Sequence, residues 1–404
     1  MIDYVDSRSS TVRALSPEGS EVLAFLRRLD WVLLLAVGAL LGLGLWVIAG
    51  VTRNDVSGEP DYFLTRQAIF AAFGAVGLVV TTFVDPDHYR RHARVVYGLM
   101  TGLLLLVLVV GAVERGSRRW IDLGFYRFQP SEFAKLLLVL FLGGFLADRY
   151  KRVSDPRTVA AAVGLALVPA LLVFMQPDFG TALVYGAALV GTLVVAGTRW
   201  VHLSALAAGI VIAAILALWA LPAIGVEVLK PYQAKRLTGF TSPDSDPGGA
   251  TYNVNQSITA IGSGGVSGRG VSGATQTSLD FLPVHGTDFV FASFAEQRGF
   301  VGAAILLGLY LLVVWRGLRI VAIARDAFSA IVAGGIVIAL LFQIFVNVGM
   351  TMGIAPVTGI PLPFVSVGGS SLIANLLAMG VLQAVCARGR GAPRERPGAG
   401  SKRR

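Results

Sequence analysis

FLPVHGTDFVFASFAEQRGFVGAAILLGLYLLVVW, from Phe281 to Trp315, passes from a polar approach into an apolar run. Asp288 stands at the junction, a carboxylate at the mouth of a membrane helix, and ionisable groups at such positions are usually functional. The apolar part, read over 289–315, is long enough to cross a hydrocarbon core, which takes about 20 residues. Before it lies the polar, glycine-rich stretch 222–288, so one reading of this junction gives a membrane span, a large loop and a candidate acid.

Working outward, apolar runs of similar length recur near 31–51, 67–84, 95–113, 132–147, 158–175, 180–197, 203–221, 328–350 and 370–386. The fold expected is an all-α integral membrane protein of about ten transmembrane helices, with a large extracytoplasmic loop between the seventh and eighth. Composition agrees: 55% of residues are hydrophobic and 14% charged, mean hydropathy is +0.70, and a soluble domain carries about a quarter charged residues. The first run has a polar segment before it and no small-residue cleavage site after it, so it reads as a retained helix, not a signal peptide. The chain divides into an N-terminal segment 1–30, a polytopic domain 31–386 and a basic tail 387–404 whose sequence looks disordered.

Orientation follows from the cations. Arg27, Arg28, Arg90, Arg91, Arg94, Arg149, Lys151, Arg152, Arg157, Arg316, Arg319, Arg325 and the tail hold most of the 34 Lys and Arg. All fall on one side, which the positive-inside rule makes cytoplasmic, with both termini there. The net charge of +10 is largely accounted for by these flanks, which meet anionic lipid; nothing favours a nucleic-acid partner. A second set disobeys the rule: Arg115, Arg118, Arg119, Arg127 and Lys135, then Lys230, Lys235, Arg236 and Arg269. Fixed positive charge on the outer side attracts an anion such as a lipid-linked phosphate, although any single member can equally snorkel or anchor a helix end beside Trp120.

Lys135 lies about one turn inside a span, where an ammonium costs up to about 3 kcal/mol unless it meets water or a partner. Ser131 after Pro130 reads as a helix N-cap, with Glu132 placed for the helix dipole. In QPDFGT (176–181) Asp178 reads first as a cap on the next helix. GIPLPFVSVGGSSL (359–372) is too proline-rich for lipid-exposed helix, and irregular backbone at membrane depth must be buried or line a cavity; its Gly-Gly-Ser-Ser end opens a helix that either receives a phosphate or is simply capped. GSGGVSGRG (262–270) lacks the Lys-Ser/Thr ending of a phosphate-binding loop. His88, His92, His202 and His285 show no metal-ligand spacing, the single Cys386 permits no internal disulfide, and only His285 lies near Asp288 on the outer side.

These segments together carry a resemblance. GSRRWIDLGFYRFQPSEFAKL (116–136), QPDFGTA (176–182), YQAKRLTGF (232–240), DPGGATYNVNQSITAIGSGG (246–265), the 281–300 segment and NVGMTMGIAPVTGIPLPFVSVGGSSL (347–372) resemble the SEDS family of cell-wall proteins, in order and spacing across about residues 30–386. RLTGF, the Tyr-Asn of ATYNVNQS, and QTSLDFLP look more like its elongation, RodA-like branch than its division, FtsW-like branch.

The resemblance implies a peptidoglycan glycosyltransferase that polymerises lipid II on the outer face of the cytoplasmic membrane. Its essential acid corresponds to Asp288. The family's conserved cations correspond to Arg127 and Lys135, and its tryptophan to Trp120; Arg118, Arg119, Arg236, Gln256 and Ser370 complete the expected substrate-binding set. Implied partners are a class B penicillin-binding protein and other membrane proteins of the elongation complex. Mg²⁺ beside the pyrophosphate is an expectation without a dedicated ligand cluster in the sequence, and no organic cofactor is expected. The family commonly reads P-E-x-H-T-D-F at the catalytic segment, whereas this chain has Val284 and Gly286 at the Glu and His positions, with His285 displaced by one; Val367 stands where Tyr is common. A lipid II flippase, a membrane scaffold and an FtsW-like division member are the rival readings.

Overall fold

The computed structural model describes residues 18–114, 117–216, 221–224 and 250–391. After α1 (Glu18–Arg27), the apolar runs become α2 (Trp31–Val51), α3 (Tyr62–Phe83), a short α4 (Pro86–Arg91) and α5 (Ala93–Val110). Then come α6 (Pro130–Ala147), α7 (Pro156–Met175), α8 (Phe179–Val195) and α9 (Trp200–Ile215). α10 (Ala250–Gly264), the single turns α11 (Gly270–Gly273) and α12 (Thr275–Ser278), and the spans α13 (Val290–Ile323), α14 (Ala327–Thr351) and α15 (Gly369–Gly391) complete the described chain. Among the described residues eight of these are long and apolar enough to cross a bilayer, and α8 and α9, where two further spans were expected, are apolar but shorter helices. The N-terminal segment before Glu18, the tail beyond Gly391 and much of the 222–288 loop, Arg236 included, lie outside them.

Aspartates start many of these helices. Asp30, Asp85, Asp155, Asp178 and Asp326 each accept a hydrogen bond from a backbone N–H of the first turn, at α2, α4, α7, α8 and α14, satisfying donors that have no partner within the helix. The α6 start differs from expectation: Gln129 is the N-cap and Pro130 takes the first helical position, where its missing N–H costs nothing. The Ser131 hydroxyl instead accepts from Gln129 Nε2 at 3.2 Å.

The segment read as a cation-rich loop between the third and fourth spans is a small antiparallel sheet. β1 (Ala112–Glu114), β2 (Ser117–Asp122) and β3 (Arg127–Phe128) are ordered β1-β2-β3, with Ala112 opposite Trp120 and Asp122 opposite Arg127. Its short strands gave too weak a period-2 signal beside the apolar α5.

α6, α14 and α15 are the most enclosed spans, whereas α3 and α5 show most of their surface, as lipid-facing helices do. α15 packs along α3, α14 against α6, α8 and α13, and α2 against α13. Close approach of α15 to α3 requires Gly380, because a Cβ there would strike the Leu78 carbonyl and the Thr81 hydroxyl; small residues at helix contacts are a usual membrane device. α13 is two helices joined at Gly299, whose φ of 65° is open to glycine at no steric cost. At the end away from the sheet, Arg316 of α13 makes a buried ion pair with Asp30 at 2.5 Å. Gln383 of α15 exchanges hydrogen bonds with both backbone groups of Asp30.

Candidate active site

At the sheet end, residues 279–289 form the approach to α13. Leu282 and Phe289 are fully buried and join Ala260 of α10 and Ala292 of α13 in a small core of their own. That core seats the loop and leaves Asp288, between Thr287 and Phe289, half-buried. Glu296, buried in the first part of α13, accepts from the backbone N–H groups of Gln276 and Thr277 at 2.8 and 3.0 Å and from the Thr277 hydroxyl at 2.7 Å. A carboxylate thus caps α12 and fixes where the loop begins.

The loop is stitched on its far side to the proline-rich segment. Val367 N–H donates to the Gly286 carbonyl at 2.9 Å. The Ser366 hydroxyl donates to the Thr287 carbonyl at 2.6 Å while accepting from Leu362 N–H. Asn347 of α14, fully buried, donates through Nδ2 to the Asp288 carbonyl at 2.9 Å and to the Ile360 carbonyl at 2.7 Å. Three consecutive carbonyls, 286 to 288, are therefore held by groups from 347–367, so the irregular backbone there is buried in protein, as its composition required.

The same segment walls a cavity of about 350 Å³ lined by Tyr62, Arg66, Gln67, Phe70, Tyr126, Arg127, Gly368 and Gly369, among others. Gln67 ties its two ends, donating to the Ser366 carbonyl at 3.0 Å and accepting from Gly368 N–H at 3.2 Å. Arg66 and Arg127 give the cavity two guanidiniums, the N-terminus of α15 opens on it, and aromatic rings supply an apolar side. Such a lining suits an anion carried on an apolar chain. One residue, Val367, belongs both to this cavity and to the hydrogen bonds of the Asp288 loop.

The remaining expected residues are distributed around this centre. Ser370 is buried and bonded to the Tyr126 hydroxyl at 2.8 Å, to Gln129 N–H at 2.9 Å and to the Arg127 carbonyl at 3.1 Å, so it fixes the strand that carries Arg127. Lys135 does not join Arg127 in the cavity lining. It is buried against Glu132 at 2.8 Å and Gln343 at 3.0 Å, beside a pocket of about 30 Å³ between α6, α14 and α15, room for about one water. Glu132, expected to serve the helix dipole alone, is its counter-ion. Arg119 lies 3.7 Å from Asp178 and over the half-buried Trp120 ring; Asp178 caps α8 through Thr181 N–H, as expected, and also accepts from Gln129. Arg118 is exposed near the Leu108 carbonyl, and Gln256 is half-buried on α10.

Sequence reasoning passed over Arg66, Gln67, Asn347 and Ser366. Arg66 was a further cation on the sparsely charged side, and Gln67 and Asn347 were polar residues inside apolar runs, a signal that polar groups there face the bundle.

Residues 27–390 match the FtsW/RodA/SpoVE family of cell cycle proteins. The chain belongs to this family. It is 39% identical over 345 residues to the peptidoglycan glycosyltransferase MrdB of Escherichia coli K12, covering 85% of this chain and 90% of that one. Among solved structures it is similar to the rod shape determining protein RodA of Thermus thermophilus, with a TM-score of 0.66, 30% identity, and 90% of this chain and 98% of that one covered. It is also similar, with a TM-score of 0.76 and 32% identity over 89% of this chain and 98% of the other, to a chain solved in a study of coordinated polymerization and crosslinking by a peptidoglycan synthase complex. The FtsW/RodA/SpoVE match spans nearly all the described residues, so the Asp288 loop and the two-arginine cavity both lie inside the family's domain.

Proposed function

We infer that this multi-pass membrane protein is a peptidoglycan glycosyltransferase of the elongation type, polymerising lipid II into glycan strands at the sheet-bearing face. The observation that carries the reading is the stitching of the Asp288 loop to the wall of the two-arginine cavity. An acid and an anion site are thereby held in one rigid frame, as transfer from a lipid-linked pyrophosphate requires.

In the proposed reaction the 4-hydroxyl of the acceptor sugar attacks the anomeric carbon of the donor. Its proton passes to the Asp288 carboxylate, the bond from the anomeric carbon to the phosphate oxygen breaks, and polyprenyl pyrophosphate departs with that electron pair toward Arg66 and Arg127. One displacement inverts the anomeric centre. Lys135, neutralised by Glu132, holds α6 to α14 through Gln343 beneath this site. The distribution of Lys and Arg supports placing both termini in the cytoplasm and the cavity outside. The peptidoglycan synthase complex to which a similar chain belongs supports a class B penicillin-binding protein as partner.

Among the described residues, Asp55, Asp280 and His285 form the group that brings three ligand-type side chains together. Its imidazole is engaged at both nitrogens, and the set lacks the oxygen-rich octahedron that Mg²⁺ prefers. It does not fit the expected Mg²⁺, and no step is assigned to one.

The test is polymerisation of purified lipid II by the purified protein, alone and with a partner inactive in its own chemistry, comparing wild type with Asp288→Ala. Loss of polymer by about 100-fold or more, the usual contribution of a general base, is expected. Unchanged polymer would remove Asp288 from the chemistry, and absence of polymer even with the wild type would move the assignment to lipid transport or scaffolding.

A further inference from the structure

His285 stands one residue away from the family's usual histidine, and the structure gives the reason. Gly286 is pressed against the end of α2: a Cβ there would come within 2.9 Å of the Thr52 methyl and 3.6 Å of Val367 Cγ2. A side chain at 286 has little room, whereas the neighbouring position projects toward the turn between α2 and α3. There His285, 6% exposed, places Nε2 at 2.9 Å from Asp55 Oδ1 and Nδ1 at 3.0 Å from the Leu282 carbonyl. Both partners can only accept, and a neutral imidazole carries a single N–H. The ring satisfies both contacts only as an imidazolium.

We propose that His285 is a positioning residue for the transferase: as a cation it latches the Asp288 loop to the α2–α3 turn through Asp55. The proposal rests on the reading of Asp288 as the base. The latch reaches Asp288 through a tight turn in which Thr287 N–H and Phe289 N–H both approach the Val284 carbonyl, at 3.1 and 3.4 Å. Asp55 is itself anchored by its N–H to the Thr52 carbonyl at 3.2 Å. Movement of the ring is therefore passed to residues 287–289 by the backbone.

Among the described residues, the charged groups facing the ring are Asp55 from the α2–α3 turn and Asp280 from its own segment, the latter 3.7 Å from Nδ1. Burial alone would lower the imidazole pKa. The hydrogen bond and charge of Asp55, with the Leu282 carbonyl and Asp280, outweigh burial and raise it above its ordinary value. A raised pKa means that the latch is complete below the ordinary histidine value of about 6.5 and is lost as pH rises through the higher folded value.

The experiment follows kcat and KM for lipid II from pH 5.5 to 9 in wild type, His285→Gln, Asp55→Asn and the double variant, each with its partner. Histidine NMR of the detergent-solubilised protein runs beside it; with four histidines in the chain, His285→Gln assigns the resonance. Expected are an alkaline fall in wild-type kcat that coincides with the His285 titration and disappears in His285→Gln. Each single variant should lose about tenfold in kcat at neutral pH, the size of one charge-assisted hydrogen bond, with KM unchanged and the double no worse than either single. Superposable pH profiles of wild type and His285→Gln, additive losses, or an ordinary His285 titration would overturn the latch. Asp288→Ala, run in parallel, reports on the base by itself: polymer from that variant refutes the underlying assignment whatever His285 does.

Discussion

Asn347→Leu isolates the tie between α14 and the Asp288 loop. Asn347 is fully buried and its amide donates to two carbonyls, those of Asp288 and Ile360. Leucine keeps the branched shape and heavy-atom count of asparagine, though its methyl groups are bulkier, and leaves both carbonyls without this donor, the Ile360 carbonyl in the buried core and the Asp288 carbonyl in a partly buried place. A buried acceptor so stranded costs about 1–3 kcal/mol. The Asp288 share acts on the loop itself; if it is relieved by local opening, the population with Asp288 in place falls about 5- to 150-fold. The Ile360 share loosens the proline-rich segment that walls the cavity. The assay is lipid II polymerisation, with thermal unfolding in detergent as the second axis. Val337→Ala serves as the control, because it truncates a buried side chain of the same helix, at a cost of about 2 kcal/mol, without touching the loop. Asn347→Leu should lose rate out of proportion to its thermal shift, and Val337→Ala should do the reverse. A folded Asn347→Leu protein that polymerises at the wild-type rate would refute the reasoning.

Three further outcomes are expected. Arg66→Ala should raise KM for lipid II about tenfold, in keeping with loss of a charge-assisted contact, and a salt titration of KM should be shallower than in wild type. Lys135→Ala strands Glu132 in the bundle and should destabilise the protein by about 3–5 kcal/mol, whereas the double change Glu132→Gln with Lys135→Met should recover much of the loss in thermal unfolding. Val284 holds φ at 59°, a conformation a β-branched residue adopts only with strain, so Val284→Gly should raise the melting temperature by the equivalent of about 1 kcal/mol.

The apolar spans were legible because each rests on local physics, although their ends were less so: α13 runs on to Ile323, past the expected 315, and α6 starts from Gln129, not Ser131. Length and hydropathy placed ten apolar helices, and Asp178 announced its cap by standing one residue before Phe179–Val195. Asp288 was legible because a carboxylate opening an apolar run is rare unless used. The β1–β3 sheet was not, since its two- to six-residue strands carry less pattern than the helices beside them. Lys135 shows the same limit: its depth was read from the sequence, but its partners were not, because Gln343 lies 208 positions away.

The sequence by itself determined a polytopic helical protein, the side that carries its cations, and an acid at the head of the eighth span, because hydropathy, charge asymmetry and capping act over a few residues. Only the tertiary structure decided which polar groups meet. It brought Arg66 and Arg127 to the lining of one cavity, set Asn347, Ser366 and Val367 against the three carbonyls of the Asp288 loop, and turned His285 toward Asp55. Those pairings join positions far apart in the chain, and they form because each buried donor or charge must find a partner where water is excluded.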